Sequence, residues 1–245
     1  MEYLIEAVIK MLNTKIPFYG IFIILTFTFG LLNIYQNAKN YFLLKEELIG
    51  FLLYIILGSL FGAKYFTFFM YYKKYNGVFN FMQTGLSSYG AVIGILLITF
   101  LFSWQYKKCF KELIYLIIPS VPLMYSLGKI GCFISGCCYG IKYSGPFNVT
   151  YNYSFSAPKG VGLFPVQLFE AIIFFAIYLV IKTKKISIGK TVIICGISKF
   201  ILDYFRMSHL GKIITVNQII SILFVIVGLV LLFVKEKKKK PILTK

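Results

Sequence analysis

Apolar residues in this chain fall into long blocks broken by short polar clusters. Scanning for blocks of about 20 residues, the length needed to cross a bilayer as a helix, predicts seven spans. They lie at roughly 17–35, 48–71, 86–105, 112–127, 163–181, 190–206 and 213–234. Ahead of the first block, Tyr3, Leu4, Ala7, Val8, Met11 and Leu12 recur at helical spacing, with Glu2, Glu6 and Lys10 on other faces. That pattern predicts an interfacial helix over 1–15 rather than a cleaved signal peptide. Between the fourth and fifth blocks, residues 128–162 are rich in Gly, Ser, Tyr and Asn and include Pro146 and Pro158. A stretch of that length is more than a connector and is a candidate functional segment.

Composition agrees with an all-α membrane protein of about seven helices: 59% of residues are hydrophobic and only 14% charged. The net charge of +18 would suggest nucleic acid for a soluble chain, but here anionic lipid is the simpler partner and no nucleic acid is expected. Placing the N-terminus outside puts 15 basic residues on the cytoplasmic side, including the tail 235–245, against nine outside. This bias predicts an external N-terminus, a cytoplasmic C-terminus and an extracytoplasmic 128–162 loop. Arg206 is the only arginine among 26 basic residues.

Ionisable groups inside hydrocarbon are costly, so those in the predicted spans are functional candidates. Lys199, Asp203 and Arg206 are spaced i, i+4, i+7 in SKFILDYFR, which stacks them on one helix face, either as a reactive cluster or as a structural ion-pair stripe. Glu170 and Gln167 share a face in FPVQLFEAI, where substrate contact and interhelical hydrogen bonding both fit. The segment GKIGCFISGCCYG at 128–140 joins four glycines, three cysteines and Lys129, a plausible anion-binding turn. Its cysteines lack the spacing and the neighbouring histidine of a zinc pattern. They read as small packing residues, with Cys137 and Cys138 open to redox chemistry in an oxidising exterior. Gly90 and Gly94 in TGLSSYGAVIG have helix-packing spacing. Tyr89 fits either an aromatic belt or a hydrogen-bond donor at a site, and His209 reads as an exposed loop residue.

Taken in order, these patches resemble the prolipoprotein diacylglyceryl transferase family of bacterial inner-membrane enzymes. Phe18-Tyr19-Gly20 is similar to the family's aromatic-Tyr-Gly start, and GLSSYGAVIG to its GG-x-S-x-HGG-x-IG segment. GKIGCFISGCCYG resembles the signature GR-x-GNF-x-NGE-x-x-G, FPVQLFEA the motif HP-x-QLYEA, and SKFILDYFR the motif FR-x-x-x-E-x-x-R. Val216-Asn217-Gln218 looks like the family's MGQ. The departures are specific: the family's histidine falls on Tyr89, the signature arginine, asparagine and acidic residue on Lys129, Cys132 and Cys137, and the arginine and glutamate of the later motif on Lys199 and Asp203.

The resemblance implies transfer of a diacylglyceryl group from phosphatidylglycerol to the lipobox cysteine thiol of a preprolipoprotein, in the bacterial plasma (inner) membrane, with no metal or soluble cofactor. It implies catalytic roles for Tyr89, Arg206, Lys129 and Asp203: the cations stabilise the departing phosphate, Asp203 orients them, and Tyr89 lies close to the thiol. It implies substrate binding by Tyr19, Gly128, Gly131, Gly140, Gln167, Glu170, Lys199, Asn217 and Gln218. A phenol is mostly protonated at neutral pH and a poor base, so the nucleophile would depend on cations raising the thiolate fraction of the substrate. Two other readings compete: a non-catalytic or divergent member that binds anionic lipid or uses another acceptor, and a small transporter lined by Lys199, Asp203 and Arg206.

Overall fold

The computed structural model describes residues 18–39, 41–42, 44–70, 85–152, 154, 156–184 and 186–233. The expected interfacial helix at 1–15 and the basic tail 235–245 lie outside these residues. The described helices are α1 (Phe18–Ala38), α2 (Lys45–Met70), α3 (Ser88–Gln105), α4 (Phe110–Ile117), α5 (Val121–Ser135), α6 (Val166–Lys184), α7 (Ile188–Asp203) and α8 (Val216–Phe233). A 3-10 turn at Ile118–Ser120 links α4 to α5, and the 26 residues Phe110–Ser135 are together long enough to cross a bilayer. Pro119 and Pro122 explain this local tightening, because neither can donate the amide bond that a regular helix interior requires.

Among the described residues six helices are long and apolar enough to span a membrane, where seven were expected. The exception is α7, whose 16 residues rise only about 24 Å against the roughly 30 Å of a hydrocarbon core. It ends at Asp203, so Arg206 is not on the helix as its i, i+7 spacing predicts. It follows in a turn, with extended backbone (φ −89°, ψ 141°). A second difference concerns the 128–162 segment: α5 continues to Ser135, so its first eight residues are helical. Glycine is tolerated in membrane helices because neighbouring helices repack around it, which is why Gly128 and Gly131 did not end the helix. Beyond Ser135 the chain is irregular, held by isolated bridges such as Lys142 with Leu163 and Val149 with Leu163.

The chain divides into two compact units, residues Ile24–Tyr125 and residues Met1–Ile23 with Ser126–Lys245. In the first, α2 and α3 meet through glycines. A methyl on Gly62 would lie 2.6 Å from Gly94 Cα, and one on Gly58 would lie 2.8 Å from Gly94 O. Backbones this close are the small-residue contact that the Gly90 and Gly94 spacing predicts. The core of this unit includes Ile34, Phe42, Phe51, Ile55, Phe102 and Leu113. In the second unit, α7 and α8 use the same device at Gly189 and Gly228. A small cluster of Val149, Tyr151, Ala157 and Leu163 underpins its irregular segment. Tyr151 seals that cluster: it is 1% exposed, its hydroxyl donates to Phe133 O (2.8 Å), and burial pushes its phenol above the ordinary value.

Candidate functional site

The site lies in the second unit and is organised by one carboxylate. Glu170, in α6, is fully buried and receives three cations. Lys129 Nζ of α5 lies 2.9 Å from its Oε2. Arg206 Nη2 donates to both oxygens, at 3.1 and 2.9 Å, and Lys199 Nζ of α7 donates to Oε1. The local packing explains the meeting. Ser126 Oγ donates to Ala171 O (2.8 Å), which fixes α5 against α6 and brings Lys129, three residues on, beside Glu170. Burying these charges is costly unless each is paired. With Glu170 and Asp203 as the nearby acids, three cations against two carboxylates leave a formal excess of one positive charge.

Asp203 does not take the central place that its helical spacing gave it. Its Oδ1 accepts from Asn217 Nδ2 (3.1 Å) and lies 3.9 Å from Arg206 Nε. Its Oδ2 accepts from the Thr215 hydroxyl. Thr215 in turn starts α8: its Oγ1 accepts from Gln218 N (3.1 Å), and its own N–H donates to Gln218 Oε1 (3.1 Å). This is a capping box. It commits the Gln218 carbonyl to helix initiation and couples Asp203 to the start of the next helix. Thr215 was absent from the sequence-based list, although the T-x-x-Q pattern before an apolar run signals it.

The backbone around Arg206 is clamped by the segment after α5. Ile141 N donates to Phe205 O (3.0 Å), Met207 N to Tyr139 O (3.2 Å), and Phe164 N to Ile141 O (2.9 Å). Gly140 sits between these strands of chain, where a methyl would lie 3.0 Å from Phe205 O and against Phe164 O. Only glycine fits so close an approach. Gly131 likewise faces α1: its missing methyl would meet Phe22 Cβ at 2.7 Å and Tyr19 Cδ2 at 3.7 Å. Gly128 is half-buried on α5, one position before Lys129.

The end of α5 is a Schellman motif. Cys137 N donates to Cys132 O (3.1 Å) and Gly136 N to Phe133 O (3.3 Å), with Gly136 at φ +69°. This closure folds Cys137 back over the last helical turn, and Cys138 follows at φ +56°. The buried amide of Gln167 donates to Cys137 O (2.9 Å), tying α6 to the turn. Cys132 and Cys137 are half-buried and Cys138 is exposed, which is not the burial of core filling. Hydrogen bonds with Cys132 and Cys137, together with the fields of Lys129 and Arg206, hold the Cys138 thiol well below its ordinary value.

Thus Lys129, Glu170, Lys199, Arg206, Asp203 and Asn217 are joined by direct ion pairs and hydrogen bonds. Gln167, Gln218, Gly140 and Gly131 support the same unit. Tyr89 belongs to the other unit, in the first turn of α3, whose start is capped by Ser87 Oγ accepting from Gly90 N (3.3 Å). His209 packs edge-on against Tyr204, with ring centroids 4.6 Å apart.

The profile of a family described as prolipoprotein diacylglyceryl transferase matches residues 6–234. The phosphatidylglycerol-prolipoprotein diacylglyceryl transferase 2 of Clostridium perfringens is 32% identical over 66% of this chain and 66% of its own. A relative so named, without the numeral, from Clostridium tetani is 25% identical over 94% of this chain and 98% of its own. One from Francisella tularensis is 28% identical over 92% of each. With the six apolar helices and a cation cluster assembled by the very motifs that carry the likeness, the chain is a multi-pass membrane protein that belongs to the prolipoprotein diacylglyceryl transferase family.

Proposed function

We propose that this protein transfers the diacylglyceryl group of phosphatidylglycerol to the lipobox cysteine thiol of a preprolipoprotein, leaving a thioether and releasing glycerol phosphate. The observation that carries the reading is the buried Glu170 carboxylate gathering Lys129, Lys199 and Arg206 at one point. A phosphate ester leaves from carbon with growing negative charge, and preorganised donors in a water-poor site are the strongest means of stabilising it. Arg206 supplies the planar fork suited to phosphate, Lys129 and Lys199 supply point charges, and Glu170 holds all three in register. Asp203 positions Arg206 through the Thr215 and Asn217 network. Gly128, Gly131 and Gly140 allow the close packing behind these groups, while Tyr19, Gln167, Asn217 and Gln218 contribute polar edges for glycerol or peptide.

The protein acts in the bacterial plasma membrane, with its N-terminus outside and C-terminus in the cytoplasm, as its lysine distribution supports; this orientation needs an odd number of crossings, with α7 serving as a short seventh span beside the six longer ones. A reporter fused after Lys245 that works only in the cytoplasm checks that orientation. The function is tested with membranes carrying the protein, labelled phosphatidylglycerol and a lipobox peptide. Label is expected on the peptide cysteine, in a bond that resists ester hydrolysis. Correctly inserted protein that leaves the peptide unlabelled contradicts the proposal. Lipid binding lost in Arg206→Ala, without any turnover by the wild type, would identify the non-catalytic reading.

A further inference from the structure

We propose that Cys132, Cys137 and Cys138 form a zinc site with one open position, and that this position takes the acceptor thiol. The inference rests on the transfer reading above for the identity of that thiol. The three Sγ atoms all lie within 4.8 Å of one another. Three sulfurs bound to one zinc ion at about 2.3 Å in tetrahedral geometry are about 3.8 Å apart. Bringing them to that spacing needs a contraction of about 1 Å or less, within reach of side-chain rotation. Spacing along the sequence hides this arrangement, because it is made by the Schellman closure that returns Cys137 to Cys132 and by the left-handed backbone of Cys138.

Cys138 is one of three non-glycine residues with positive φ among those described. A side chain held in that region is strained, and such strain persists where surrounding structure imposes it. Here the surroundings are specific. Gln167 holds Cys137 O, and Ser135 Oγ lies 3.4 Å from Cys137 Sγ, so the turn is fixed from α6 and from α5. Zinc with three thiolates carries one negative charge. Lys129, one turn before Cys132 on α5, and Arg206, whose neighbours Phe205 and Met207 bond to Ile141 and Tyr139 just after Cys138, bring positive charge that would balance it. Three protein ligands plus one exchangeable position is the arrangement of catalytic rather than structural zinc.

The chemistry fits an enzyme with tyrosine at position 89. A thiol that binds zinc gives up its proton outright, so no dedicated side-chain base is required. The acceptor thiol enters the fourth position and releases its proton to water. Its sulfur then donates an electron pair to the glyceryl carbon that bears the phosphate. The carbon–sulfur bond forms, the carbon–oxygen bond breaks, and glycerol phosphate departs with that bonding pair beside Arg206 and the lysines. The product is a thioether, a weaker ligand than thiolate, which frees the position for another acceptor.

Cobalt(II) titration of the full-length protein in detergent tests this, because thiolate-bound tetrahedral cobalt has intense, ligand-specific absorption. The wild type is expected to bind one equivalent, displaced by zinc. Cys138→Ser is expected to weaken binding by at least about tenfold, with Cys195→Ser as the unaffected control. Adding a lipobox peptide should shift the spectrum from three-sulfur to four-sulfur coordination, and a peptide with serine at the acceptor position should not. Absence of stoichiometric binding by wild-type protein, retention of binding in Cys138→Ser, no response to the cysteine peptide, or a disulfide among the three cysteines in freshly isolated protein would each overturn the proposal. A transfer assay run with a strong zinc chelator separates the two ideas. Undiminished label transfer ends the zinc proposal and leaves the transferase standing; a four-sulfur spectrum without transfer retains the site and removes the transferase.

Discussion

At Arg206 the identity of one side chain separates charge from geometry. Its Nη2 reaches both oxygens of Glu170, at 3.1 and 2.9 Å, a contact that a flexible ammonium cannot reproduce with the same direction. Removing Glu170 itself would strand three buried cations, a kind of change that costs about 3–5 kcal/mol, so variants there report on folding before chemistry. Arg206 is the informative position. Arg206→Ala is expected to lower kcat for labelled phosphatidylglycerol by about 10²–10³-fold, the scale of losing one donor to a developing oxyanion. Arg206→Lys should fall between it and the wild type. Equal turnover by all three would remove Arg206 from the reaction. The sequence marked this residue as the only guanidinium and marked Glu170 as an acid in an apolar span. It did not show that Glu170 rather than Asp203 collects the cations, because Lys199 and Arg206 flank Asp203 at helical spacing while Glu170 has no basic residue nearer than Lys159 and Lys182, and only the meeting of α5, α6 and α7 brings the cations to it.

Helices were legible where a single physical rule controlled them. Continuous apolar runs located α1, α2, α3, α6 and α8 within a few residues. The ends were harder. The sequence SKFILDYFR has helical spacing throughout, yet α7 stops at Asp203, because Asp203 is bound to Thr215 at the start of α8 and the backbones of Phe205 and Met207, on either side of Arg206, are bound to Ile141 and Tyr139. The first partner is 12 residues away and the others lie before α6 in the chain, beyond any local pattern. The Cys132, Cys137 and Cys138 cluster is similar, since a helix cap rather than a spacing rule creates it. Thr215 gives this level its prediction. Thr215→Val removes the α8 cap, worth about 1 kcal/mol, and leaves a buried acceptor on Asp203 unsatisfied, adding about 1–3 kcal/mol. Its thermal unfolding midpoint in detergent should drop below that of the wild type, while Thr215→Ser, which keeps the hydroxyl, should stay close. Matching midpoints for the valine and serine variants would show that the capping box does not hold this junction.

For the whole molecule, the distribution of apolar and basic residues fixed the membrane setting and the all-helical class, and the collinear motifs pointed to one family. The structure adds a division of labour: the cation cluster, the cysteine turn and the capped start of α8 all belong to one compact unit. The other holds the glycine-packed pair α2 and α3, with Tyr89. Without Arg206, Glu170 keeps Lys129 and Lys199 as partners, so the variant is compared with the wild type at matched levels of membrane-inserted protein. The most direct measurement is rescue of a bacterial strain depleted of its own prolipoprotein transferase, with wild-type protein and Arg206→Ala expressed to equal levels in the membrane and lipidation of a marker lipoprotein followed by mass spectrometry. The account predicts diacylglyceryl-modified lipoprotein and growth with the wild type, and neither with Arg206→Ala. Failure of the membrane-inserted wild type to modify the marker, or full modification by Arg206→Ala, would contradict it.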